Sequence, residues 1–264
     1  MLYEDQAGRF DERAGVPAEA CAAIADVLAE MVALEPGQTW LEIGAGTGAL
    51  SLALIRHPIR YVGFDRSPAM LAVFRRKLAQ EGLQAQLEVV DGNEPWPVED
   101  GSIAVIFSAR AVHHLDAAHV VAETRRVASL RGVWLVLGRV RRPPDSVKAV
   151  MRTQMRRLLA QRGYAGKSHA AHVEALFSAL ERQGGRHTAP RVAARWTSLH
   201  SPADSLAAWQ SKSGLAGLDV PAEVKAGLLD ALRHWAEAHY GDLKKKQTQV
   251  EFFELDSIFW GNTR

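Results

Sequence analysis

The sequence predicts a doubly wound α/β fold on a mostly parallel, seven-stranded sheet. Three observations carry that reading. Short apolar runs alternate with segments of helical periodicity from about residue 39 to residue 137. The first run opens into glycines at alternate positions, Gly44, Gly46 and Gly48. The run Val133, Trp134, Leu135, Val136, Leu137 is apolar throughout, as a strand covered on both faces requires.

Residues 16–34 place Ala20, Ile24, Val27, Leu28 and Met31 at helical spacing, with Pro17 suited to a first turn. Pro36 and Gly37 end that helix. Residues 39–43 then read as a strand, and 47–56 as a helix with Leu50, Leu54 and Ile55 inside. A second strand covers 61–64. Ser67 caps the next helix, with Pro68 at its first position, and this helix runs to about Gln80. Strands at 86–90 and 103–107, a helix at 117–129 and the strand at 133–137 complete the alternation. Right-handed crossovers set such helices on both faces of a parallel sheet.

After Pro143 and Pro144 the pattern changes. Helices are expected at 145–162 and 169–183, closed by Gly184 and Gly185, then a strand at 191–199. Two more helices, at about 202–213 and 221–239, precede a last strand at 249–260. This part is too strand-poor to stand alone. We therefore read residues 1–264 as one domain: an N-terminal segment and helix to 36, a core over 37–140, and a helical elaboration with the last two strands over 141–264.

Composition narrows the function classes. No apolar stretch reaches transmembrane length, and the first residues carry acids where a signal peptide has bases. A cytoplasmic protein without membrane insertion is expected. The single cysteine, Cys21, excludes an internal disulfide and a cysteine-rich zinc site, and no metal is expected. A net charge of only +2 gives no electrostatic footprint for nucleic acid. Basic runs at 139–142, 152–157 and 244–246 read as solvated faces and a loop.

The glycine loop carries the chemistry. Glycine there lets the chain turn sharply after a strand and lets a ligand lie against the backbone. Glu42, in the same strand, argues against a dinucleotide: a carboxylate about 4 Å from a pyrophosphate charge costs up to ~4 kcal/mol at an effective dielectric near 20. A ligand with a cationic head is favoured.

Residues 41–48 resemble the first motif of class I S-adenosylmethionine-dependent methyltransferases, and later landmarks follow in that family's order. The second strand ends in Asp65, 21 residues after Gly44. The third ends in Asp91, Gly92 and Asn93, followed by Pro95, Trp96 and Pro97. The fourth ends in Ser108 and leads to Val112, His113, His114, Leu115 and Asp116, and then to Glu123, Thr124, Arg125, Arg126 and Val127. This last set resembles the ubiquinone/menaquinone-biosynthesis-type branch of small-molecule methyltransferases. The resemblance is close from 37 to about 140 and holds only in outline beyond. The chain departs from it at Ala104, where the family often has Asp, and at Leu130, Arg131 and Gly132, where Pro-Gly-Gly is usual.

The resemblance implies S-adenosylmethionine as cofactor, whose ammonium and sulfonium suit Glu42. Gly44, Ala45 and Gly46 would form the loop beneath it. Asp65, with Arg66 beside it, would take the ribose hydroxyls, and Met70 would pack on the adenine. Asp91 or Asn93, flanking Gly92, would bond the adenine amino group. Ala109 and Arg110 would line the cofactor with backbone groups. His113 and His114 are candidate bases for an acceptor that arrives protonated. Alternatively, one caps a helix and the other packs on the sheet. Asp116 reads as a helix cap. Phe10 and Arg13 lie in a stretch resembling the family's N-terminal lid, or else anchor a terminus. Trp196, Trp209 and Trp235 read as core. The implied partner is a small organic methyl acceptor, with no nucleic acid, and the protein a monomer or homodimer. The alternatives are a tRNA methyltransferase, an NAD-dependent oxidoreductase (Gly44, Gly46 and Ala49 formally fit its fingerprint), and a cofactor-binding fold without turnover.

Overall fold

Parallel pairing organises the chain. In the computed structural model, which describes residues 16–164, 169–212, 214–215 and 218–261, β1 (Thr39–Ile43) lies between β2 (Arg60–Asp65) and β4 (Val105–Ala109). Beyond β2 lies β3 (Gln86–Val89), and beyond β4 lies β5 (Val133–Arg141). With β6 (Arg186–His200) and β7 (Gln247–Trp260) the seven-stranded sheet has the order β3-β2-β1-β4-β5-β7-β6. The four pairs among the first five strands are parallel. The last two run antiparallel: Thr188 meets Ser257 at 2.7 Å while Ser198, further along β6, meets the earlier Glu251 at 3.0 Å. The chain order reverses direction at β1, where β2 lies to one side and β4 to the other. Ligands of open α/β sheets bind at such a switch point.

The helices between these strands begin and end as their residues require. Preceding β1 is α1 (Ala18–Met31). Ser67 accepts the Met70 N–H at the start of α3 (Pro68–Glu81), and Gly82 ends that helix at φ +64°. Asp116 caps α4 (Ala117–Val127), accepting the His119 N–H at 2.9 Å. The helix after the glycine loop is shorter than its apolar pattern suggests. Only α2 (Ser51–Ile55) is helical, because Gly48 at φ +73° is left-handed. A Cβ there would lie 2.1 Å from the Phe74 ring, so the turn at 47–50 is also a packing requirement. β4 starts at 105, two residues later than expected, Ile103 making an isolated bridge to Ala128. β5 and β6 are longer than expected; the first residues of β6 are largely exposed and show no apolar alternation.

The chain forms two compact units. Unit 1 takes residues 1–140, 169–194 and 253–264. In it Leu41, Ile43, Ile106 and Leu135 pack with Leu176, Phe177 and Leu180 of α6 (His169–Glu181) and with Ile258 of β7. A satellite cluster joins Ala45, Tyr61, Phe74 and Leu78. Unit 2 takes 141–168 and 195–252. There α5 (Val147–Gln161), α7 (Pro202–Gln210) and α8 (Ala222–Tyr240) bury Met151, Met155, Leu206, Leu228 and Leu232, with Trp209 and Trp235 packed against them. Among the described residues no helix is long and apolar enough to cross a membrane.

One side chain fastens the long connection between β3 and β4. Arg126 of α4 makes five hydrogen bonds: two to Glu123, one to Asp100, and one each to the carbonyls of Trp96 and Val98. Glu123, 7% exposed, also accepts the Trp96 N–H at 2.7 Å. Burial alone would raise the Glu123 carboxyl, but the Arg126 and Trp96 hydrogen bonds outweigh it and hold it below its usual range. Arg126→Ala strands that buried carboxylate and should cost about 3 kcal/mol, read by urea denaturation. Arg126→Lys, a single point charge, should recover less than half of this. A loss in the alanine variant below about 1 kcal/mol would mean that the network contributes little.

Candidate functional site

The glycine loop is held down at the ends of β1 and β2. The N–H groups of Gly44 and Ala45 both donate to the Phe64 carbonyl, at 2.9 and 3.0 Å. Gly46 donates its N–H to Asp65 Oδ2 at 3.0 Å, and Asp65 Oδ1 accepts the Ser67 N–H at 2.9 Å. The loop therefore turns over the end of β2, tied to the carboxylate there. A Cβ on Gly44 would sit 2.2 Å from the Ala111 Cβ, so this glycine lets the segment after β4 approach. Gly46, at φ +54°, differs: a Cβ there would meet nothing nearer than 3.9 Å. Its backbone borders open space, a cradle that a side chain would fill.

Glu42 lies beneath this loop at 4% exposure. Its Oε2 accepts the Tyr61 hydroxyl at 2.6 Å and the Ser51 hydroxyl at 2.7 Å. Tyr61 reaches it because Gly63, paired with Glu42 across the strands, has no Cβ; one would lie 2.8 Å from the tyrosine oxygen. Burial pushes the Glu42 carboxyl up to about 7, the two hydroxyls pulling it down and the Asp65 charge adding to the rise. The side chain expected as a fixed negative charge is thus close to half protonated at neutral pH.

At the end of β3, Asp91 Oδ1 accepts the Asn93 N–H at 3.0 Å, and Asn93 Oδ1 accepts the Asp116 N–H at 2.8 Å. Gly92 is buried, its carbonyl bound by the Trp96 indole at 3.1 Å, and a Cβ there would strike Leu115 at 2.7 Å. Met70 is buried at 3% exposure, and Arg66 is exposed.

Beyond β4, Ser108 donates its hydroxyl to the Ile43 carbonyl at 2.9 Å, tying this strand end to β1. Ala109 pairs with Gly138. Arg110 holds φ +70°, a left-handed backbone that a residue with a side chain rarely adopts. A short 3₁₀ turn, Val112–His114, brings the His113 and His114 rings to 3.9 Å between centroids. Partial burial, then the charges of Arg66 and His172, push the His114 imidazole below its ordinary value. His113 and Arg110, together with Leu137, Arg139, Val173 and Asp256, line a cavity of about 130 Å³. Two of the charged side chains in its wall have partners: Arg139 meets Glu254 at 2.7 Å, and Asp256 meets His187 at 2.6 Å.

The residues expected at the site thus sit at the ends of β1 to β4, while Phe10 and Arg13 lie outside the described residues. Arg139, Val173 and Asp256 were not anticipated. They come from β5, α6 and β7; the only signal in the sequence is the charge that Arg139 and Asp256 each place inside a strand, and Val173 gives none.

Glu42 makes a thermodynamic prediction. Between its ordinary 4.5 and about 7, the folded protein holds a proton that the unfolded chain has released. This group's effect is therefore a stability that falls as pH rises across that window and levels off above it. Glu42→Gln lacks the dependence, so its stability relative to the parent should rise by up to about 3 kcal/mol from pH 4.5 to pH 7 in urea denaturation. Parallel pH curves would refute the assignment.

Residues 41–132 match the model of a family described as a methyltransferase domain. The chain is 33% identical over 124 residues to a protein-L-isoaspartate O-methyltransferase of Methylorubrum populi, covering 40% of this chain and 58% of that protein. It is 31% identical over 122 residues to a ubiquinone biosynthesis O-methyltransferase of Hahella chejuensis, covering 46% and 50%. The matches span about half the length of these curated relatives. Among solved structures, the YcgJ protein of Bacillus subtilis shares the fold with a TM-score of 0.58 at 18% identity, over 91% of this chain and 99% of that one. Over residues 41–132 the chain is thus similar to methyltransferase domains, and the YcgJ protein shares its fold.

Proposed function

We propose that this protein transfers a methyl group to a small organic acceptor by in-line displacement. The observation that carries the reading is the state of Glu42: a carboxyl beneath an open glycine loop whose burial is answered only by neutral hydroxyls. A cationic ligand beside it would supply the missing counter-charge, and a pyrophosphate would not. S-adenosylmethionine, when bound, supplies an electrophilic methyl on a sulfonium.

In this reading the chain's own residues bind, orient and exclude water. Asp65 keeps lone pairs beyond those taken by Gly46 and Ser67, and these would accept the ribose hydroxyls. Asn93 spends its carbonyl on Asp116, so Asp91 is the better acceptor for the adenine amino group. Gly44, Ala45 and Gly46 would border the ligand, and Arg66, Met70, Gly92, Ala109 and Arg110 would frame it. His113, on the cavity wall, would take a proton from an acceptor that arrives protonated; His114, held toward its neutral form, would orient it. The cavity's apolar share, Leu137 and Val173, favours an acceptor with a hydrocarbon body. The working compartment is proposed to be the cytoplasm.

Calorimetry should show S-adenosylmethionine binding and no NAD binding, with Asp65→Ala weakening the former by about 10- to 100-fold. Equal retention of NAD would overturn the reading. Labelled methyl transfer into cell extract should be lost in Asp65→Ala, and His113→Asn should slow it by about 100-fold without changing cofactor affinity. Binding without any transfer would leave a cofactor-binding fold in place of an enzyme.

A further inference from the structure

Helix α5, Val147–Gln161, carries Lys148, Arg152, Arg156 and Arg157 and no acid. Lys148, Arg152 and Arg156 are four residues apart, so they form one stripe over successive turns, about 12 Å long. Like charges at that spacing work against the helix. They cannot rotate apart, because Val147, Met151, Met155 and Leu159 are buried and set the helix's orientation within unit 2.

One carboxylate answers this stripe, and it is already engaged by four donors. Glu251, fully buried, accepts Lys148 at 2.7 Å, Arg142 at 3.2 Å, Ser198 at 3.0 Å and Gln249 at 2.9 Å. Burial alone would raise it, but the Lys148 hydrogen bond and the Arg142 charge outweigh that and hold it below its usual range. Three of these bonds fall on Oε1 and one on Oε2, and neither Arg152 nor Arg156 is among the donors. Among the described residues no carboxylate pairs with Arg152 or Arg156. Desolvation, followed by the charges of Arg156 and Arg142, holds the Arg152 guanidinium below its ordinary value. Arg142 adds an orphan: its Nε is buried with no hydrogen-bond acceptor. His200, beside Lys148 and Arg142, is pushed down to about 4, by burial first and then by those charges, so it adds no positive charge at neutral pH and its ring meets the Ser205 hydroxyl at 2.8 Å.

We propose that Arg152 and Arg156, with the unsatisfied Arg142 Nε, bind an oxyanion group of a small molecule, a phosphate or a carboxylate. A ligand of this kind supplies acceptors to guanidinium forks whose geometry matches it, and relieves the repulsion along the stripe. A stripe of about 12 Å on a chain of net charge +2 suits one or two oxyanions and not a nucleic acid backbone. The site is independent of the methyl-donor reading, and its test uses no methyl donor.

The test is calorimetry on the full chain at low salt, with inorganic pyrophosphate in one arm and citrate in the other. Saturable binding in either arm is expected, and the stronger arm identifies phosphate or carboxylate as the group. The double variant Arg152→Gln, Arg156→Gln should weaken it at least about 10-fold, while Arg157→Gln, about 100° around the helix from Arg156 and off the stripe, leaves it unchanged. Without anion the double variant should melt about 1 °C higher, since repulsion has been removed, which shows that it folds. No saturable binding in either arm, or equal binding by the double variant, overturns the proposal. Binding of a single-stranded oligonucleotide with neither small anion bound overturns it in favour of a nucleic acid.

Discussion

The hydrogen bond from the Gly46 N–H to the Asp65 carboxylate is the tie on which the candidate site depends. It forms because β1 and β2 end level, Ile43 opposite Phe64, so the first turn after one strand meets the last side chain of the other. A shift of one residue in that register would turn Glu42 to the opposite face of the sheet and away from Tyr61. On the other side, the Ser108 hydroxyl on the Ile43 carbonyl holds β4 to the same level. Three strand ends are thereby aligned, and the segment from Ala109 to Asp116 arrives beside the glycine loop.

The buried glutamates show how the donor decides the charge. Glu123 and Glu251 are each met by a cation, and both stay below the usual carboxylate range in spite of burial. Glu42 receives two hydrogen bonds as short as theirs, yet rises to about 7. Hydroxyls satisfy lone pairs but do not replace the hydration of a full charge. Of these three groups, Glu42 alone would gain from a positive ligand, and it is the one beneath the glycine loop.

Much of this architecture could be read from the chain because it is local. A strand, a glycine loop and an acid at the next strand end leave their marks within about 25 residues. The cap at Ser67, the Asp116 cap and the packing of Trp209 and Trp235 were legible for the same reason. Other features depend on neighbours that sequence order conceals. Gly48 keeps the helix expected at 47 from forming through its left-handed backbone, and Phe74 fills the space that a Cβ there would need. Asp256 enters the cavity wall because β7 lies next to β5, and α6 belongs to unit 1 because Leu176, Phe177 and Leu180 fill its core. The charge state of Glu42 follows from burial, which one sequence does not display.

The order of the sheet also bears on synthesis. β5 is complete by residue 141, but its outer neighbour, β7, spans Gln247–Trp260. A nascent chain that folds from its N-terminus therefore holds five parallel strands with an open, apolar edge while more than a hundred further residues are translated. At about 5–20 residues per second that interval is on the order of ten seconds. Ile258, which joins the core of unit 1, is translated only after that interval. During those seconds the unpaired N–H and C=O groups of β5 are open to strands of other chains, so yield in the cell should depend on translation speed and on chaperones that cover sheet edges.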